Sequence, residues 1–125
     1  MDEHGGYSLS SENQVVTLRA TGAWNIETVN SCCKAFKATV EQIKNQSWSC
    51  IIELSDWELG PPEMWTEIIA LNIWSEVNNK KFEAVVITNN VQRYFFEQLH
   101  KTFINAQAKF FNNEIDAITW LNAQK

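Results

Sequence analysis

The strongest constraint on the fold is an alternation of two kinds of apolar segment along the chain. Short runs rich in β-branched or aromatic residues, Trp48–Leu54, Phe82–Thr88 and Ala108–Phe111, are typical of buried strands. Segments whose apolar residues recur every three or four positions separate these runs and predict helices. Tyr7–Ser11 and Gln14–Thr21 precede the first helix and predict a hairpin. The expected element order is β-β-α-β-α-β-α-β-α.

This order defines the expected fold class, which is an α/β layered sheet. Strands separated by helices are joined by right-handed crossovers and pair mainly in parallel, whereas the hairpin adds one antiparallel edge strand at the N-terminal end. The chain has 125 residues, which is the size of one domain, and 45% of them are hydrophobic. We therefore expect a single domain over residues 1–125, in which residues 1–6 form a loose tail.

Composition and charge exclude several classes of partner. The chain has 10 Lys and Arg residues against 15 Asp and Glu residues, and this net charge of −5 argues against binding to nucleic acid. No window approaches ~20 consecutive apolar residues, so we expect no membrane span. The N-terminal sequence lacks the apolar segment of a secretion signal, which predicts a cytoplasmic location.

The first helix has the most regular apolar stripe. Asn25 is expected to cap it, and the apolar side chains between Ile26 and Ile43 fall within about 120° of arc. Cys32 and Cys33 lie on this stripe and are predicted to be core thiols. Three cysteines, two of them adjacent, are a poor disulfide framework, and no histidine stands at a spacing that completes a zinc site. We therefore expect no metal and no cofactor.

The third helix is expected to be capped by Asn90 and to bury one apolar stripe. His100 lies near its C-terminal end, where the helix dipole favours a cation, and is predicted to be a solvated residue. The stripe consists of Val91, Tyr94, Phe95, Leu99 and Phe103.

The second helix, expected from residue 61 or 62 to about residue 79, differs from the others because apolar side chains surround it. Trp74 lies about 180° from Trp65, so one sheet cannot bury both side chains. We expect Trp74 to project outward as part of an exposed apolar patch, which is typical of a site for a protein partner or an apolar ligand. Alternatively, neighbouring elements and loops cover the helix on all sides. The apolar positions are Met64, Trp65, Ile68, Ile69, Leu71, Ile73, Trp74 and Val77.

Three local sequences, taken with the element order, point to a known family. Gly22-Ala-Trp joins a strand to the first helix, IIELSDW at 51–57 forms a strand and the start of a loop, and the closing helix Glu114–Leu121 begins with an acid and ends in Trp-Leu. From about Tyr7 to Leu121 the chain resembles the STAS family, and in particular its SpoIIAA-like branch, the domains related to bacterial anti-sigma factor antagonists. The resemblance implies a SpoIIAA-like layered sheet and a regulatory role in a bacterial cytoplasm.

The sequence departs from the phospho-switch members of that family at the switch itself. In those members a strand that ends in Asp-Leu-Ser leads into an Asp-Ser-x-Gly turn, whose serine is phosphorylated by an anti-sigma kinase. Here Glu53 replaces the aspartate of the strand end, and residues 60–63, Gly-Pro-Pro-Glu, stand where the turn would lie. Because this segment has no hydroxyl group, we do not expect the phospho-serine switch. Ser55 and Thr66 are more simply a turn serine and a first-turn helix threonine.

These observations lead to one expected function and two alternatives. We expect a non-enzymatic regulatory or protein-interaction module of SpoIIAA-like type that binds a protein partner or a second copy of itself. The alternatives are a carrier or sensor of an apolar small molecule or lipid, since SpoIIAA-like folds resemble lipid-carrying domains, and an enzyme that uses the loop carboxylates of Asp56 and Glu58. No catalytic residue is assigned. The residues expected to contact a partner or ligand are Ser55, Asp56, Trp57, Glu58, Leu59, Trp65, Ile73, Trp74 and Val77.

Overall fold

The computed structural model describes residues 4–58 and 60–124, and within them it contains five strands and four helices. The expected order β-β-α-β-α-β-α-β-α is confirmed. The elements are β1 (Gly6–Glu12), β2 (Val15–Ala23), α1 (Ile26–Glu41), β3 (Trp48–Glu58), α2 (Met64–Val77), β4 (Lys80–Val86), α3 (Asn90–His100), β5 (Gln107–Phe111) and α4 (Glu114–Ala123).

The strands form one sheet in the order β1-β2-β3-β4-β5. β1 and β2 pair antiparallel, and every other neighbouring pair is parallel. Asn13 and Gln14 join β1 to β2, and both have the positive φ angles, 53° and 64°, that a two-residue hairpin turn requires. The α/β layered sheet with an antiparallel N-terminal edge strand is therefore confirmed.

The helices lie on the two faces of the sheet in a three-to-one arrangement. The parallel strands advance in one direction across the sheet, so right-handed crossovers place α1, α2 and α3 on the same face. Apolar side chains of these helices pack with Leu18, Leu54 and Val85. α4 covers the opposite face, where Ala117 and Leu121 pack on other strand residues. α2 thus follows β3, the central strand, and lies between α1 and α3.

The first helix matches its prediction closely. The side-chain oxygen of Asn25 accepts the backbone N–H of Thr28 at 3.0 Å, which confirms the N-cap. Cys32 is 3% exposed and lies in the core. Cys33 is half-buried, and burial raises the pKa of its thiol to about 11. The prediction of core thiols therefore holds fully for Cys32 and in part for Cys33, which lies at the edge of the buried stripe.

The prediction of a loose tail is wrong from residue 4 onward. The backbone N–H of His4 donates to the hydroxyl of Thr28 at 2.9 Å, and that hydroxyl donates to the His4 carbonyl oxygen at 2.6 Å. Gly5 has a φ of +74°, and a Cβ at this position would lie 2.6 Å from the Thr21 carbonyl oxygen. Glycine therefore allows the chain to lie close to the end of β2. Residues 1–3 lie outside the described residues.

The buried face of the third helix differs from the predicted one. Asn89, rather than Asn90, caps α3 by accepting the backbone N–H groups of residues 91 and 92. The buried face consists of Gln92, Phe96 and Leu99, while Val91, Tyr94 and Phe95 are exposed. Gln92 lies inside because its side-chain amide donates to the backbone carbonyl of Trp57 at 2.7 Å. Gln92 is thus buried with its amide hydrogen-bonded, although it is not part of the predicted apolar stripe.

None of the helices within the described residues is both long enough and apolar enough to cross a membrane.

Candidate functional site

The predicted loop after the third strand is wrong over most of its length, because β3 continues to Glu58. Asp56, Trp57 and Glu58 pair with residues 21–23 of β2. The pairing shifts register after Arg19, where β3 has one more residue than β2 before pairing resumes. This extra residue changes the alternation of side chains, so Leu54 and Trp57 both point into the core although they are three positions apart.

Trp57 is therefore a core residue and does not extend an exposed patch. It is 4% exposed, and its ring makes edge contacts with Trp24 and Phe96 at 5.9 and 6.1 Å. Leu59, which is also expected to contact a partner or ligand, lies outside the described residues. Ser55, Asp56 and Glu58 are exposed on the strand, as solvated residues would be.

The two tryptophans of α2 lie on its two flanks. Trp65 stacks on Phe95 of α3 with ring centroids 5.6 Å apart. Trp74 packs beside Phe36 of α1, and Lys37 Nζ lies 5.6 Å from its ring centroid. The opposite directions of Trp65 and Trp74 are as predicted, but the expectation that Trp74 projects outward is wrong. Two flanking helices, rather than one sheet, cover the two rings.

The outward-facing residues of α2 are instead Ile69, Ile73 and Val77, which we call the outer face of α2. They are spaced four residues apart, form one stripe, and are 38%, 59% and 78% exposed. Trp65 precedes Ile69 by one turn and contacts Phe95, whose ring in turn contacts Tyr94. The exposed apolar surface therefore continues from α2 onto α3, where Phe95 is 41% and Tyr94 is 58% exposed.

The inward side of α2 carries two polar residues among apolar ones that pack on the core. Met64, Asn72 and Ser75 are its buried residues. Asn72 Oδ1 accepts a hydrogen bond from the side-chain amine of Lys80 at 3.1 Å. Ser75 donates its hydroxyl to the carbonyl oxygen of Leu71 at 2.8 Å. α2 therefore packs apolar residues together with asparagine and serine on the core, and exposes further isoleucine and valine residues on its outer side.

Asn72 belongs to a buried ionic network that the sequence did not predict. Lys80 Nζ lies 3.0 Å from Glu83 Oε1, and the two side chains are 1% and 5% exposed. His100 Nε2 lies 2.7 Å from Glu83 Oε2 and is packed between the rings of Phe103 and Phe110. The prediction of a solvated His100 is therefore wrong. The sequence does contain one indication of this network. Lys80-Lys81-Phe82-Glu83 is a charged sequence at the start of an otherwise apolar strand.

The network keeps a charged carboxylate inside the protein. Burial alone would raise the pKa of Glu83, but the charge of Lys80 and the hydrogen bond and charge of His100 outweigh burial and lower the pKa to about 2. Cys50 lies opposite Glu83 on β3, and its thiol donates to Glu83 Oε1 at 3.5 Å. Burial, with the nearby charge of Glu83, raises the pKa of Cys50 well above its ordinary value. This thiol therefore stays neutral.

A cavity of about 70 Å³ lies beneath α1 and α2, against the sheet. Most of its wall is apolar, and Asn72 and Glu83 of the buried network supply polar groups to it. Cys33 lines the cavity from α1 and Trp57 lines it from β3. Among the residues that the structure describes, no group of three His, Cys, Asp or Glu side chains is placed to hold a metal ion.

The arrangement of sheet and helices is a SpoIIAA-like fold, and comparison with solved structures shows the same class. An uncharacterised DUF3478-family protein with a SpoIIAA-like fold from Shewanella loihica superposes with a TM-score of 0.73 at 15% identity, covering 97% of this chain and 96% of that one. An anti-sigma factor antagonist from Mycobacterium paratuberculosis has a TM-score of 0.62 at 16% identity, with 94% of each chain covered.

The anti-sigma factor antagonist SpoIIAA in its unphosphorylated form has a TM-score of 0.65 at 12% identity, covering 94% of this chain and 98% of that one. No protein-family model matches the chain. No curated protein matches its sequence either. The resemblance to the SpoIIAA-like branch is therefore confirmed at the level of the fold.

Proposed function

We propose that the chain is a non-enzymatic regulatory module of the STAS family that binds a protein through the outer face of α2. The observation that carries this proposal is the outer face of α2, where Ile69, Ile73 and Val77 are exposed although the helix already packs an apolar inner side on the core. A continuous exposed apolar surface on a small domain is typical of an interaction site. Two of the solved structures of the same fold are anti-sigma factor antagonists, which agrees with a regulatory role in a bacterial cytoplasm.

The proposed occupant is a second copy of the chain or another protein with a complementary apolar face. Residues 66, 69, 73 and 77 of α2 are Thr, Ile, Ile and Val, so the centre of the outward stripe carries no charge. Glu76 lies at its edge, where its carboxylate accepts backbone N–H groups of residues 104–106. Such a stripe can pack against its own copy across a two-fold axis without placing like charges together. We therefore propose a homodimer as the first form of this interaction to test.

The proposed module does not use a phospho-serine switch. Residues 60–63, which precede α2, contain no hydroxyl group. Ser55, the nearest serine before them, belongs to β3, and its backbone N–H donates to Glu53 Oε1 at 2.7 Å. Regulation would then depend on partner concentration and on competition for the outer face, rather than on phosphate.

Sedimentation of three proteins tests the proposed function. Ile73→Glu places a charge at the centre of the outer face, whereas Ile115→Glu places the same charge on α4, on the opposite side of the sheet. Ile73 and Ile115 are 59% and 76% exposed, so neither change disturbs the core. We expect the parent and Ile115→Glu to associate, and Ile73→Glu to sediment as a monomer with an unchanged circular dichroism spectrum.

The proposal is wrong if the parent is monomeric at high concentration and binds no apolar fluorescent probe. Equal probe binding by the parent and Ile73→Glu would also contradict it, because the bound surface would then lie elsewhere. Trp74→Glu is a poorer test of the surface. Its ring packs against α1, so this variant would change stability as well as the surface.

A second candidate function is a sensor or carrier of an apolar small molecule. The specific observation that favours it is the cavity beneath α1 and α2, whose wall is mostly apolar. Apolar walls with a few placed polar groups are typical of small-molecule sites. At about 70 Å³ the cavity fits a small molecule rather than a lipid chain. We assign no role to Asp56 and Glu58 as an enzymatic pair.

A further inference from the structure

Ile104, in the loop between α3 and β5, is an exposed apolar side chain on a backbone that is held in place. It is 88% exposed, the highest value among the large apolar side chains of residues 4–58 and 60–124. The Glu76 carboxylate accepts the backbone N–H groups of residues 104, 105 and 106 at 3.1, 2.6 and 2.9 Å. On the other side of Ile104, the ring of Phe103 packs against His100 with centroids 5.0 Å apart. The loop is therefore anchored on both sides of a side chain that contributes little to its own core.

Glu76 holds this loop as a charged group. Burial alone would raise the pKa of Glu76, but the three backbone N–H groups and the charge of Lys80 outweigh burial and lower the pKa. Hydrogen bonds to an ionised acceptor are among the stronger ones in proteins. The loop is thus fixed before any partner arrives, and association does not have to order it.

The outer face of α2 has an apolar extension at each end, and both extensions lie on the side of α3. Trp65 and Glu76 are eleven residues apart, which is about three helical turns, so they lie on the same side of α2. At the N-terminal end, Trp65 stacks on Phe95, whose ring contacts Tyr94. We call Tyr94 and Phe95 the aromatic end of the surface. At the C-terminal end, Glu76 holds Ile104, which we call the aliphatic end.

A two-fold axis can bring these unlike ends together. We consider an axis that crosses the outer face between Ile69 and Ile73, at a right angle to the helix. The two α2 helices then run antiparallel, while α3 of each copy stays on the same side of the contact. The aliphatic end of one copy therefore lies on the aromatic end of the other, and the same contact occurs twice.

We infer that the outer face of α2 binds a second copy in this antiparallel arrangement, and that Glu76 is a positioning residue that holds Ile104 against the aromatic end of the partner. This inference rests on the proposed function and names its occupant and the arrangement of the two helices. An isoleucine packed on aromatic rings removes apolar area of both copies from water. Because its own chain already supplies three donors to Glu76, no unpaired carboxylate is desolvated at the contact.

The first test compares dimer dissociation constants measured by sedimentation. Ile104→Ala should raise the constant roughly tenfold, because apolar contact is lost at two equivalent places. Ile115→Ala is the matched control, since it removes the same atoms from an isoleucine of α4 that is 76% exposed. We expect this control to dimerise like the parent.

The second test asks whether Glu76 acts through Ile104. Glu76→Gln keeps the size of the side chain but removes its charge, and should weaken the dimer roughly fivefold. Glu67→Gln removes the same charge from an exposed position of the same helix and should not weaken it. In an Ile104→Ala background, Glu76→Gln should have almost no further effect, because a positioning residue acts through the side chain that it positions. A merely structural role would weaken both backgrounds equally.

The third test observes the contact directly. Copies with ¹³C-labelled isoleucine methyl groups are mixed with unlabelled copies, and nuclear Overhauser signals between the two are recorded. We expect signals that join the Ile104 methyl protons to aromatic protons of the unlabelled copy. The signals from Tyr94 are assigned by their loss when the unlabelled copy is Tyr94→Leu.

The inference is overturned if Ile104→Ala dimerises as tightly as the parent, if Glu76→Gln has the same effect in both backgrounds, or if no signal joins Ile104 to an aromatic ring of the partner. Loss of association in Ile73→Glu together with an unaffected Ile104→Ala would overturn the inference alone and leave the proposed function standing. A monomeric parent would also overturn the inference. Apolar probe binding by the parent and not by Ile73→Glu would then still support the proposed function.

Discussion

Removing the positive charge of Lys80 should destabilise the fold strongly, and the loss should depend on pH. Lys80→Met keeps an unbranched side chain of similar length in the buried space but leaves Glu83 with His100 as its remaining ionic partner. It also removes the donor to Asn72 and the ammonium group that lies 4.2 Å from the Phe103 ring centroid. Breaking a buried ion pair by removing one partner costs about 3–5 kcal/mol.

The pKa of Glu83 gives an independent magnitude. Its lowering from 4.5 to about 2 corresponds to roughly 3 kcal/mol in favour of the charged form in the folded state. Because the folded-state pKa lies below the unfolded one, this stabilisation is fully present above about pH 4.5 and is lost as the pH falls toward 2. Lys80→Met should therefore differ most from the parent at neutral pH, and the difference should shrink in acid.

Urea unfolding between pH 2.5 and 7.5 measures both effects, and Lys81→Met is the matched control. Lys81 is the next residue of the same strand but is exposed, so its loss should change the free energy of unfolding by at most about 0.5 kcal/mol. The reasoning is refuted if Lys80→Met and Lys81→Met cost the same at pH 7. A Lys80→Met deficit that stays constant from pH 7 to pH 3 would refute the assignment of that stability to the Glu83 charge.

Two further predictions concern the thiols and the switch. Burial raises the pKa of Cys33 to about 11, so its alkylation in the folded protein should be slower than that of an exposed thiol at pH 8 and should accelerate as the pH rises toward 11, as followed by mass spectrometry. Rapid labelling of Cys33 and Cys32 at pH 8 would place both thiols at the surface. Incubation with a serine kinase of the anti-sigma type should leave Ser55–Thr66 unmodified in the same assay, because residues 60–63 offer no hydroxyl. Stoichiometric phosphate within that stretch would contradict the loss of the switch.

The sequence predicted those parts of the fold that depend on local periodicity. α1 has a single apolar stripe and an asparagine N-cap, and both features are determined by residues that are close in the sequence. The element order also follows from local patterns, since right-handed crossovers leave few ways to arrange strands that alternate with helices. The three-to-one distribution of the helices then follows from the strand order.

The positions of Trp57 and of the Lys80–Glu83 pair could not be predicted in this way, because each depends on an extra residue in a strand. Side chains three positions apart in a regular strand point to opposite faces. β4 has one more residue than β3 between Lys80 and Phe82, and this irregularity places Lys80 and Glu83 on the same face. The corresponding irregularity in β3 places Leu54 and Trp57 together. Such irregularities are determined by pairing with a neighbouring strand. Because that strand is distant in the sequence, local sequence patterns do not reveal them.

The buried polar residues of α2 connect these irregularities to the proposed function. Because the irregularity in β4 brings Lys80 under α2, the helix needs Asn72 on its inner side. That requirement explains the buried polar residue, but it places no demand on the opposite side of the helix. Ile73 and Val77 are 59% and 78% exposed, so they contribute little to the core of their own chain. Polar residues there would cost the isolated fold almost nothing and would reduce its tendency to aggregate. The apolar outer face is therefore what the proposed contact with another surface would require.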